Sequence, residues 1–128
     1  MSAYEEKVEA SLAQRGVDYR YEEEILDYIK PPVPPKKATY NPDFDFVTEK
    51  GNRVYIEAKG RFTPADRRKM VLVKEQHPDK DIRFIFMRDN PIQTGSKTKY
   101  SHWAEKNGFK WAVSATGHVP DSWIRGDA

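Results

Sequence analysis

No cysteine occurs anywhere in the 128 residues. That excludes a disulfide framework and a thiolate metal centre, and leaves carboxylates and histidines as the available ligand types. Histidine is scarce as well. His77, His102 and His118 share no ligand spacing such as H-E-x-x-H, and their expected places are the surface and helix ends. No apolar run approaches the roughly 20 residues of a membrane span. The opening "MSAYEEKVEA" is acidic and lacks the basic-then-apolar order of a secretory signal, which is compatible with a reducing, intracellular setting.

With 38% hydrophobic and 12% aromatic residues, the chain has enough apolar bulk for one modest core, so a single domain over 1–128 is expected. The formal net charge of +2 conceals a division. Residues 1–58 carry 8 Lys and Arg against 12 Asp and Glu, whereas residues 59–128 carry 14 against 8. The sign changes at the end of "VYIEAKG". A solvated surface could produce this, and so could an acidic site for cations beside a basic surface for phosphates.

Periodicity divides the chain into elements. Tyr4, Val8 and Leu12 recur at helical spacing in "SAYEEKVEASLAQRG", with Gly16 as the stop. "VDYRYE" alternates as a strand, and "ILDYI" continues extended. "KPPVPPKK", residues 30–37, holds four prolines and can join neither a helix interior nor a central strand. It predicts a polyproline spacer of about 25 Å, too stiff to fold back easily. Strands over about 43–48 and 53–59 follow, joined through "EKGN" as a hairpin. Thr63 at the N-cap, Pro64 at the first helical position and Asp66 at the positive end start a helix that Pro78 stops near His77. A strand over 81–87, a polar loop over 88–99, a short helix ending at Gly108, a strand over 109–113 and a last turn at "PDSWI" complete the order. Helices flanking a mixed sheet, an α/β or α+β architecture, are expected.

Chemistry is concentrated at the hairpin. Val54, Ile56 and Ala58 form the apolar face of the second strand, and Glu57 and Lys59 point together from the other. Asp43 begins the preceding strand, with thirteen residues between it and Glu57. Two carboxylates about 4 Å apart repel by roughly 4 kcal/mol at an effective dielectric near 20, a repulsion that Mg²⁺ relieves. Asp43, Glu57 and the Ala58 carbonyl could hold such a cation while Lys59 orients water and neutralises phosphate. An ordinary Glu57–Lys59 ion pair on a solvated strand face, worth about 0–1 kcal/mol, is the competing explanation. Arg61, Arg67, Arg68, Lys69 and Lys74, on or leading into the next helix, suit phosphate contacts, with Lys97 and Lys99 weaker candidates; each also suits a solvated surface. Trp103, Trp111 and Trp123 are expected in the core.

P-D followed by E-x-K between flanking helices resembles the core of the restriction-endonuclease-like nucleases, in the order αβββαβ. The resemblance is closer still to the endonuclease I family of T-odd phages. "SAYEEKVEASLAQRGVDYRYEEE", "TYNPDF", "VYIEAKG", "DRRKMVLVKEQHPDKDIRFIF" and "YSHWAEKNGFKWA" carry it, over about residues 2 to 124. It implies a structure-selective endodeoxyribonuclease that resolves four-way (Holliday) junctions by metal-dependent phosphodiester hydrolysis, nicking opposed strands. Mg²⁺, with Mn²⁺ as substitute and two ions per site, would be the cofactor. The partners implied are branched DNA and a second copy of the chain, in an intertwined, domain-swapped homodimer whose connecting segment is 30–37. The setting would be the host cytoplasm. Glu5 is implied as a further catalytic and metal-binding carboxylate, supplied by the partner protomer. By its own spacing Glu5 could equally close a capping box with Ser2. A less selective nickase and a catalytically silent junction-binding module are the alternatives. The 30–37 segment is about three residues longer than the family's, and the family's basic tails are absent at both ends.

Overall fold

A computed structural model describes residues 1–31 and 36–127. The first helix, α1 (Ala3–Gln14), buries Tyr4, Val8 and Leu12, as the spacing predicts, and adds Ser11 to that face. It ends where Gly16 takes a left-handed conformation (φ +66°) and the Val17 amide returns to the Leu12 carbonyl. Two short strands, β1 (Tyr19–Tyr21) and β2 (Leu26–Lys30), follow, then β3 (Lys36–Tyr40), β4 (Phe44–Val47) and β5 (Arg53–Lys59). The remaining elements are α2 (Pro64–Gln76), β6 (Asp81–Phe86), α3 (Tyr100–Lys106), β7 (Lys110–Val113) and α4 (Asp121–Arg125). Among the described residues, no helix is long and apolar enough to cross a membrane.

Five strands form one mixed sheet in the order β1-β4-β5-β6-β7. The first two pairings are antiparallel; β5 with β6 and β6 with β7 are parallel, bridged by α2 and α3. Alternation along the strands separates two cores. Phe44, Phe46, Val54, Ile56 and Ile85 pack with α1 and Trp123 of α4. Ile82, Phe84 and Phe86 face the other way, against Phe62, Met70 and Val73 on the α2 side and Tyr100 and Phe109 on the α3 side. The fold is therefore mixed α/β, with helices on both faces of a mixed sheet.

The region around the prolines departs from the sequence reading. β2 and β3 pair antiparallel as a separate two-stranded sheet, with Lys30 opposite Lys36 and Leu26 opposite Tyr40. The ends of the expected spacer therefore lie side by side rather than apart; residues 32–35 are outside the described residues. Burial explains the return. Leu26, Tyr28 and Tyr40 join the α2-side core, and the Gln76 side chain brackets the Ile29 peptide, accepting from its N–H at 2.8 Å and donating to its carbonyl at 3.0 Å. Two smaller differences concern aromatics and the C-terminal turn. Trp111 lies on the edge strand β7 and is 37% exposed, not core, and "PDSWI" closes into the short helix α4.

Candidate active site

The hairpin brings Asp43 and Glu57 together by register. Phe44 opposes Ile56, so Asp43, one residue earlier, stands at the level of Glu57, one residue later, where β4 begins and β5 nears its end. Phe44 and Ile56 are anchored in the α1-side core, which turns Glu57 to the opposite face, while Asp43, just before β4, reaches back towards Glu5 of α1. Lys59 follows on Glu57's face, its Nζ 3.3 Å from Glu57 Oε2 and 3.6 Å from Asp66 Oδ1. Ala58 contributes its amide here, donating to Asp43 Oδ2 at 2.9 Å.

Glu5 reaches this place from α1. It closes the capping box with Ser2, its amide donating to Ser2 Oγ at 3.1 Å and its Oε1 accepting from the Ser2 amide at 3.2 Å. Its Oε2 meanwhile accepts from the Tyr21 hydroxyl at 2.9 Å. The helix cap and the site are therefore served by one carboxylate. Glu5, Glu22 and Asp43 form a group in which one carboxylate oxygen from each lies within 4.8 Å of the other two.

Glu22 has no counterpart in the sequence reading. It takes a positive φ of 52°, rare for a residue with a side chain. Its amide donates to the Asp43 carbonyl at 2.9 Å, and its carbonyl accepts from Asn41 Nδ2 at 2.8 Å. Those two bonds hold β1's end against the start of β4. A run of three glutamates gives no local signal for which one turns inward. Tyr40 was also invisible locally: its buried hydroxyl donates to Glu57 Oε1 at 2.8 Å, and Lys69 Nζ lies 5.5 Å from its ring centroid.

The electrostatics follow from this crowding. Burial, then the Glu57 and Glu5 charges, push the Asp43 carboxyl up to about 8, against a partial offset from the Ala58 amide. Burial also raises Glu57, although Lys59 and Tyr40 pull the other way. Burial alone would raise Glu5, but hydrogen bonds from Tyr21, Ser2 and Asp43 together bring it below its ordinary value. For Lys59 burial favours proton loss, and the Glu57 and Asp66 carboxylates outweigh it. Lys59 is therefore held as an ammonium. The carboxylates thus divide into Glu57, matched by a hydroxyl and an ammonium, and the Glu5–Glu22–Asp43 group, where negative charge is in excess.

The basic residues of the α2 region are not equivalent. Arg61 and Arg68 are exposed. Arg67 uses Nη1 to bond the Phe62 and Ile92 carbonyls, at 2.8 and 3.2 Å, tying the β5–α2 connection to the 88–99 loop. Lys69 sits over Tyr40, and Lys74 over Phe109 at 5.3 Å. The connection and the loop wall an open cleft of about 500 Å³, lined by Gly60, Arg61, Phe62, Thr63, Ile92 and Tyr100. Lys97 is exposed on that loop, and Lys99 precedes α3. His77 ends α2 and its Nε2 lies 2.6 Å from the Asp27 carbonyl oxygen, a helix-end role as expected.

Comparison with known proteins agrees with the motifs. The chain is 35% identical over 125 residues to Endonuclease I of Escherichia phage T7, covering 97% of this chain and 77% of that protein. It is 36% identical over 112 residues to Endodeoxyribonuclease 1 of Enterobacteria phage T3, covering 87% and 69%. The family model described as phage endonuclease I matches residues 1–128. Carrying these carboxylates and this lysine on a mixed α/β fold, the chain belongs to the phage endonuclease I family and is a nuclease.

Proposed function

We propose that the chain is a structure-selective endodeoxyribonuclease that resolves four-way DNA junctions by metal-dependent hydrolysis of phosphodiesters, nicking opposed strands. The observation that carries the chemistry is the convergence of Asp43, Glu57 and Lys59 at one end of the β4–β5 hairpin, joined by Glu5 from α1. Junction selectivity rests on the family resemblance. Leaving the β2–β3 pair aside, the elements up to β6 run α, β, β, β, α, β, which supports a restriction-endonuclease-like core.

The donor set fits a hard divalent cation. Every oxygen the Glu5–Glu22–Asp43 group offers is carboxylate, and burial together with the Glu57 and Glu5 charges pushes the Asp43 carboxyl up to about 8, a cost that a bound cation would relieve. Mg²⁺, replaceable by Mn²⁺ and two per site, would be held by Asp43 and Glu5 with Glu22, and by Glu57 and the Ala58 backbone. When bound, it supplies an acidified water and stabilises the charge that develops on phosphorus. Lys59, kept protonated by Glu57 and Asp66, neutralises the scissile phosphate and orients water rather than removing its proton. Arg61 and Arg68, with Lys69, Lys74 and the Arg67 helix face behind them, track the DNA backbone beside the cleft.

The active form is a domain-swapped homodimer joined through 30–37. Swapping exchanges identical elements and conserves their contacts, so the Glu5–Asp43 proximity within one chain is the contact a partner's α1 would supply. The deciding experiment is cleavage of an end-labelled immobile four-way junction with Mg²⁺ or EDTA, beside linear duplex of the same sequence. Paired nicks near the crossover, only with metal, are expected. Equal cutting of the duplex would remove junction selectivity, and tight junction binding without nicks would remove the hydrolytic reading.

A further inference from the structure

Both oxygens of Glu57 are engaged inside the chain, by different kinds of group. Oε1 accepts the Tyr40 hydroxyl at 2.8 Å, and Oε2 faces the Lys59 ammonium at 3.3 Å. Tyr40 and Glu57 are 3% and 5% exposed, so the hydroxyl proton has little competition from bulk water. In so dry a place a donor's direction decides how a carboxylate is turned. The backbone on both sides is fixed: Glu57 lies in the middle of the sheet, and Tyr40 ends β3 opposite Leu26, packed into the α2-side core. Packing alone does not explain the hydroxyl, because phenylalanine would fill the same space. Tyr4, another tyrosine with a buried ring, gives its proton to a backbone carbonyl, Ser114 O at 2.6 Å, and the Tyr100 hydroxyl accepts from the Phe62 amide at 3.3 Å, so neither meets a carboxylate there.

We propose that Tyr40 is a positioning residue for the nuclease site. Its hydroxyl fixes the Glu57 carboxylate with Oε2 turned to Lys59, and its ring seats the Lys69 ammonium on α2. The role rests on the assignment of Glu57 and Lys59 to the site. Tyr40 acts through Glu57, as outer-shell partners of ligating carboxylates do. It belongs to the β2–β3 pair, so the strand that follows the proline segment also carries the part that orients the carboxylate.

Tyr40→Phe tests this, because the ring and its seat for Lys69 remain while the donor is removed. The kcat for junction cleavage should fall about ten- to a hundredfold, and Mn²⁺ affinity measured calorimetrically without DNA should weaken in parallel. The KM for the junction should stay within about twofold, since uniform substrate binding is untouched. Tyr40→4-aminophenylalanine, which returns a donor to the same place, should recover most of the loss. Normal kcat and Mn²⁺ affinity in Tyr40→Phe overturn the proposal, as does a loss that the amino analogue fails to restore. A shift confined to the melting temperature also overturns it, because that is the mark of a structural tyrosine. Glu57→Gln, assayed in parallel, separates the two levels. If it cleaves normally, the site assignment itself fails; if it is dead while Tyr40→Phe is intact, only the role of Tyr40 fails.

Discussion

Lys59 Nζ stands 3.6 Å from Oδ1 of Asp66, and Asp66 Oδ2 accepts from the Thr63 amide at 3.1 Å. The residue that closes the capping box of α2 is therefore also a counter-charge of the site's lysine. The two duties separate by mutation. Thr63→Ala removes the Thr63 Oγ1 acceptor for the Asp66 amide and should lower stability by about 1 kcal/mol, with cleavage by the folded protein unchanged. Asp66→Asn keeps a side-chain acceptor at the cap but removes the charge beside Lys59, and should slow cleavage about three- to tenfold at a stability loss of about 0.5 kcal/mol. Urea melts with single-turnover cleavage of the junction check both. Equal slowing in the two variants would mean that α2 placement, not charge, is what the site feels.

What was legible in the sequence is what local periodicity encodes. The alternation of Val54, Ile56 and Ala58 against Glu57 and Lys59 puts Glu57 and Lys59 on one face of β5, as the structure has them, and Thr63-Pro64-Ala65-Asp66 starts α2 where it starts. What was illegible depends on partners far along the chain. Tyr40 meets Glu57 across 17 residues, and Glu22 is turned by bonds to Asn41 and Asp43 rather than by its neighbours. β3 was missed because four prolines dominate any local reading of 30–37, whereas its pairing with β2 and the burial of Tyr40 are tertiary. Arg67 reads as one more surface cation until the Phe62 and Ile92 carbonyls are found on its Nη1.

Glu22 should matter for cation binding before any DNA is present. It shares the 4.8 Å carboxylate group with Glu5 and Asp43, whereas Glu23 lies beside Arg20 at 4.0 Å. Glu22→Gln should weaken Mn²⁺ binding about five- to tenfold, roughly 1–1.4 kcal/mol, and Glu23→Gln should leave it unchanged. Asp43→Asn should weaken it further. Isothermal titration of the three variants decides it, and equal affinity in wild type and Glu22→Gln would remove Glu22 from the ligand set.

Away from the site, Asp81 and Arg83 make a two-point ion pair at the start of β6, with Nε–Oδ1 at 2.9 Å and Nη2–Oδ2 at 2.8 Å. The Arg83 side chain is 4% exposed and that of Asp81 37%, so the pair is half screened by solvent. Burial would raise the Asp81 carboxyl, but the Arg83 bonds and the Lys110 and Lys74 charges outweigh it and hold it below its ordinary value. A depressed acid stabilises the fold above its unfolded value, and that contribution disappears as pH falls through the folded one. Asp81→Asn should cost about 1–3 kcal/mol at pH 7, discounted for exposure, because it leaves a buried guanidinium without its anion. The gap between wild type and Asp81→Asn should close as acid titration passes below the ordinary carboxylate range. A gap independent of pH would mean that shape, not charge, is lost.

The shared-site dimer can be tested without resolving its shape. Glu5→Ala and Lys59→Ala should each abolish cleavage when expressed alone. Suppose α1 of one protomer completes the site built on β5 of the other. A heterodimer of the two variants then collects both lesions in one composite site and leaves the second with an intact Glu5 and an intact Lys59. Mixing equal amounts after partial unfolding and refolding should therefore restore nicking of one strand at up to about a quarter of the wild-type rate per dimer, without paired nicks, since random reassortment makes about half of the dimers heterodimers and each has one intact site. If each chain instead completes its own site, as the contacts of one chain also permit, every site in the mixture keeps a lesion and no activity returns. Restored activity that depends on the refolding step would further show that the first helices are held between protomers, since closed dimers mixed without unfolding would have no route to trade them.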